Sequence, residues 1–163
     1  MKTKITRRFN KKSFEIVDCE ISDWSSVDEY IRPFIKLLNE SEHISTIYSC
    51  EGHSLNDGAY LYFNVDEIGW EIFWNKVLPE LSYEFCQPIS IPNYVPDTPG
   101  VIPFYQLMWH MNVTDNEYNT GIQMHTQLVN FEHENDNSKI LVSWEEKKKR
   151  FWNTLERIFM KHY

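Results

Sequence analysis

Apolar and polar positions alternate along several stretches of this chain and recur at helical spacing along others. Phe14, Ile16 and Cys19 mark a strand over Phe14–Ile21. A polar turn, Ser22–Ser26, follows, and Ser26 with Glu29 has the spacing of a capping box. Pro33 suits the first turn of a helix, so the main helix is predicted at Pro33–Asn39, with Phe34, Leu37 and Leu38 facing inward. Ile44–Cys50 and Ala59–Val65 read as the second and third strands. Asp66 can cap a helix that Pro79 would end, with Ile68, Trp70, Ile72, Phe73, Trp74 and Val77 on its apolar side.

Tyr83–Ile91 reads as a fourth strand, and Pro92, Pro96, Pro99 and Pro103 punctuate the loop after it. Phe104–Val113 and Ile122–Asn130 alternate as two strands of a hairpin. Ser143 with Glu146 repeats the capping-box spacing and opens a C-terminal helix that buries Phe151, Leu155, Ile158 and Phe159. This order predicts an α+β fold: a ferredoxin-like split βαβ core (βαββαβ), extended by a β-hairpin and a C-terminal helix. The whole chain, 1–163, reads as a single α/β domain whose first twelve residues form a flexible basic tail.

Composition narrows the function classes. Acidic residues number 24 against 16 basic, a net charge of −8, which disfavours extended nucleic-acid binding. The three cysteines, Cys19, Cys50 and Cys86, are widely spaced and lack a Cys-x-x-Cys pair, so free thiols are expected. No apolar run suits a signal peptide or a membrane span. The expectation is a reduced, cytoplasmic protein with no membrane partner.

Two groups of residues suggest chemistry. In the first, a β-rich run stops at Cys50 and enters a glycine turn, gathering Tyr48, Cys50, Glu51, Gly52 and His53 at one sheet end. A thiol can act as a nucleophile, and a carboxylate or imidazole can move protons. The competing reading is an inert buried Cys50 with solvated Glu51 and His53.

The second group comes from hairpin register. A turn centred between Glu117 and Tyr118 pairs His110 with His125, Asn112 with Gln123 and Met108 with Gln127. The result is an uncharged polar face suited to a ligand, or else a half-buried polar sheet face with ordinary cross-strand hydrogen bonds. His53, His110 and His125 are expected to converge on one pocket, with Glu51 at its edge. Three imidazoles can hold a zinc-like ion. No His-x-His or His-Glu-x-x-His spacing supports one here, so no metal ligand and no cofactor is assigned.

The segments Leu37-Leu38-Asn39, Ile44-x-Thr46-Ile47-Tyr48-Ser49-Cys50-Glu51-Gly52-His53 and Tyr60-Leu61-Tyr62-Phe63 resemble small, mostly uncharacterised bacterial and phage domains with a Ser-Cys-x-Gly-His turn between two strands. The turn is more distantly similar to the Ser-Cys-Ser-Gly-Arg turn of the methyltransferase family of wybutosine synthesis. Ser49, Cys50 and Gly52 match that second pattern, and His53 stands where it has Arg.

Two functions follow as expectations. One is a domain for a small polar ligand such as a nucleotide, with a hydrolase or transferase site that joins His53 to His110 and His125, the latter two as proton shuttles, with Cys50 or Glu51 as helper. Tyr48, Gly52, Asn112, Gln123 and Gln127 would bind the ligand. The other is an acidic protein-interaction module, such as a phage-type inhibitor of a host enzyme, working through Glu132, Glu134, Asp136, Tyr94 or Tyr118. His43, His133 and His162 read as solvated, Lys147–Arg150 as a helix surface, and Trp70, Trp74 and Trp152 as core.

Overall fold

A computed structural model describes residues 5–10, 15–20, 23–54, 57–85, 91–92, 105–116, 119–130 and 137–163. In chain order the elements are β1 (Ile5–Asn10), β2 (Glu15–Glu20), α1 (Arg32–Glu40), β3 (Ile44–Cys50), β4 (Tyr60–Val65) and α2 (Glu67–Ile72). A π turn (Phe73–Val77) leads into α3 (Leu78–Phe85), followed by β5 (Ile91–Pro92), β6 (Tyr105–Asn116), β7 (Asn119–Asn130) and α4 (Asn137–His162). The fold is α+β.

Strands β3-β4-β7-β6-β5 form one sheet in that order, with every pairing antiparallel, and β1 and β2 form a separate pair. Leu61 and Phe63 of β4 and Ile122 and Met124 of β7 are fully buried. They belong to one core with Phe34, Ile35 and Leu38 of α1, Phe73, Val77, Leu81 and Phe85, and Phe151, Trp152, Leu155, Ile158 and Phe159 of α4. Tyr60 and Tyr62 alternate with the buried positions of β4 and are only partly covered, as one core-facing side of a sheet requires.

The hairpin pairs as its alternation predicts: His110 with His125, Asn112 with Gln123 and Met108 with Gln127. The ferredoxin-like βαββαβ arrangement is not confirmed. Its fourth strand, Tyr83–Ile91, is helical through Phe85, and among the described residues after it Ile91–Pro92 pairs with β6. Pro92 fits there because β5 is an edge strand. Ile5–Asn10, expected within a flexible tail, instead pairs along its length with Glu15–Glu20.

Pro79 does not end the second helical segment. The π turn lies directly before it, and the Leu78 N–H reaches back to the Phe73 carbonyl. The wider turn carries the chain past a residue that lacks an N–H. Phe73, Val77, Leu81 and Phe85 take the buried line, while Trp74 is 52% exposed and stacks on Trp70 with ring centroids 5.4 Å apart. Trp74 is therefore not core. Leu37 is exposed and Ile35 is buried in its place. Asp23, rather than Ser26, caps the turn before α1 by accepting the Ser25 N–H.

Helix α4 starts before Ser143 and buries Trp144 as well as the expected residues. Among the described residues, no helix is long and apolar enough to cross a membrane.

Candidate functional site

Strand β3 ends at Cys50, and the chain turns at Gly52 with φ +89°. Only glycine takes this conformation without strain. A Cβ there would stand 3.1 Å from the Ala59 nitrogen and 3.1 Å from Cζ2 of Trp144. The turn is thus packed against the start of β4 on one side and against α4 on the other.

Polar contacts fix the same turn. Trp152 donates its indole N–H to the Glu51 carbonyl at 3.0 Å. Lys148 donates to the Gly52 carbonyl at 3.1 Å and to Glu145 at 3.0 Å. Asp28, in the segment before α1, accepts the Glu51 N–H through Oδ2 at 2.9 Å. Its other oxygen, Oδ1, lies 3.3 Å from Nε2 of His53. One donor atom each from Asp28, Cys50 and His53 lies within 4.8 Å of the other two. Cys50 is a buried free thiol, whereas His53 is more than half exposed.

Burial pushes the Cys50 thiol above its ordinary pKa; the Gly52 N–H opposes this, and Asp57, Asp28 and Glu51 reinforce it. The thiol is therefore held protonated, the reverse of the electropositive setting that activates a cysteine nucleophile. Burial likewise raises the Tyr60 phenol, followed by the nearby Cys50, Asp57 and Asp28. Tyr60 thus borders the same corner.

Register extends the corner across the sheet. Cys50 pairs with Tyr60, Tyr60 with Gln123 and Gln123 with Asn112. Tyr48 pairs with Tyr62 one step along. Tyr60 and Tyr62 meet edge to face with centroids 5.6 Å apart, and the Tyr62 hydroxyl reaches Gln123 at 3.5 Å. Tyr48 is 66% exposed. Three phenols and an amide therefore line the sheet beside the Asp28–Cys50–His53 corner.

The structure brings Tyr48, Cys50, Glu51, Gly52, His53 and Gln123 into this region. His110 and His125 are backbone partners, as Asn112 is of Gln123; the side chains of His110, Asn112, His125 and Gln127 lie outside the described residues. So do Tyr94, Tyr118, Glu132, His133, Glu134, Asp136 and Cys86.

Three expectations are corrected. His43 is a hydrogen-bond partner of Asp66 at 2.8 Å, and His162 of Glu80 at 2.8 Å, so neither is merely solvated. Lys147 and Lys148 are buried and only Lys149 and Arg150 are surface residues. Asp28, Tyr60, Lys148 and Trp152 were not among the sequence candidates. Asp28 stands far from the turn along the chain and carries no local motif. A regular spacing of Trp144, Lys148 and Trp152 along one helix face was the available signal for the clamp.

No protein-family model, curated protein or solved structure matches this chain.

Proposed function

We propose that this chain is a binding domain for a small, polar, planar ligand of the nucleotide class, with hydrolysis or group transfer as its reaction. The observation that carries this reading is the meeting of Asp28, Cys50 and His53 at the end of β3, beside Tyr60. Folding alone does not call for a carboxylate, a thiol and an imidazole at one partly open sheet end. The tyrosines offer ring faces on which a heterocycle can stack. Gln123 offers an amide donor and acceptor. Within the corner Asp28 lies 3.3 Å from the His53 imidazole. His110 and His125, two positions along from Asn112 and Gln123, are the proton shuttles in this reading.

Titration calorimetry with a panel of nucleosides and mononucleotides tests the proposal. Tyr48→Ala should cost the best ligand about 1–3 kcal/mol, the usual worth of one aromatic stacking partner. His110→Gln should lower affinity or activity with little change in melting temperature. Tyr83→Ser, at an exposed position of α3, should change neither. Binding by no member of the panel, or binding insensitive to Tyr48 and Gln123, would overturn it.

A further inference from the structure

We propose that Asp28, Cys50 and His53 bind one divalent transition metal of the zinc class. The inference rests on the ligand-site reading above and supplies its reactive group. The donor set is a carboxylate oxygen, a thiol sulfur and an imidazole nitrogen, the three side-chain types that hold zinc.

Geometry supports the set. Bonds of about 2.0–2.3 Å in a tetrahedral site give ligand-to-ligand edges of roughly 3.3–3.8 Å. Nε2 of His53 and Oδ1 of Asp28 are already 3.3 Å apart, and all three donor atoms lie within 4.8 Å of one another. A shift of about an ångström in one side chain closes the set around an ion.

The outer contacts are those that orient metal ligands. The Glu51 N–H occupies Oδ2 of Asp28 and leaves Oδ1 facing His53. Trp152 and Lys148 hold the carbonyls of Glu51 and Gly52, so the backbone between Cys50 and His53 is fixed from outside. Three protein ligands leave a fourth position, and the exposed side of His53 gives a route to it.

On binding, the Cys50 thiol releases its proton to solvent, sulfur donates a lone pair to the metal, and His53 ligates through a neutral ring nitrogen.

Chelator-treated protein titrated with Co2+ tests the site. One equivalent should bind with a thiolate-to-cobalt charge-transfer absorption, and Zn2+ should displace it. Cys50→Ser should abolish that absorption. Asp28→Asn, nearly isosteric and partly exposed, and His53→Gln should each weaken binding at least tenfold. His43→Gln, at the hydrogen bond to Asp66, should leave it unchanged. Circular dichroism confirms that each variant is folded. No charge-transfer absorption in the folded wild type, or Cys50→Ser and Asp28→Asn both binding with wild-type affinity, would overturn the metal site. Should the metal-free protein still bind a nucleotide through Tyr48, the ligand reading survives the loss of the metal. Cobalt bound as described, with no nucleotide bound, would support the metal site and overturn the ligand reading instead.

Discussion

Gly52 sets the turn between β3 and the start of β4. Its positive φ strains any other residue, and the 3.1 Å approaches of Ala59 and Trp144 would crowd a methyl group there. Gly52→Ala should therefore destabilise the fold by about 2 kcal/mol, combining strain and overpacking. A thermal melt should show a fall of roughly 4–8 °C. This requirement was legible in the sequence, because a glycine directly after a β-rich run signals a turn. The role of Asp28 was not. Its oxygens meet Glu51 and His53 only after α1 has docked, and no local pattern announces a contact across that separation.

Lys147 gives a second test at this scale. It is buried, and loss of hydration lowers its pKa from 10.5 to about 8. The folded state then holds fewer protons at this site than the unfolded state between pH 8 and 10.5. Stability contributed by this group rises with pH across that window and is flat below it. Other groups titrate there too, so the readout is a difference. Relative to a Lys147→Met variant, wild type should gain stability as pH rises from about 8 to 10.5. A difference that is flat or moves the other way in denaturant titrations would contradict the assignment.

Helix α4 is the element that ties core to site. Trp144, Lys148 and Trp152 recur every four residues, which places them on one helix face. All three reach the turn at Glu51 and Gly52. Trp152→Phe keeps most of the packing and removes the donor to the Glu51 carbonyl. The expected cost is about 1–3 kcal/mol, with faster amide exchange at the Cys50–His53 turn. Protection unchanged at that turn would show that the clamp is dispensable.

Periodicity located α1, α4 and the Asp66-capped helix, but it misjudged where two of them run. Pro79 reads as a terminator only when the helix before it is regular, and the π turn at Phe73–Val77 removes that assumption. The Ser143–Glu146 spacing mimics a helix start inside α4. Tyr83 and Phe85 have strand-like composition, yet Leu81 and Phe85 continue the buried line begun by Phe73 and Val77. Tertiary packing overrides local preference there.

At the scale of the whole molecule, the sheet order β3-β4-β7-β6-β5 joins the two regions the sequence had suggested separately. The register of β6 and β7 was legible because a short turn fixes every pair after it. The docking of β4 against β7 was not, since nothing local records which strand becomes a neighbour. That single pairing, Tyr60 with Gln123, sets the Cys50 turn and the hairpin in one row. The five-strand order β3-β4-β7-β6-β5 does not confirm the expected ferredoxin-like arrangement.

The most direct measurement of the central claim is an amide proton–nitrogen NMR map of the protein with the tightest-binding mononucleotide of the panel. The largest shifts should fall on Cys50 to His53, on Tyr60 to Tyr62 and on Gln123, and Tyr48→Ala should reduce them together. Shifts confined to α1, α2 and α3, or no shift at these amides at saturating ligand, would contradict a site at this end of the sheet.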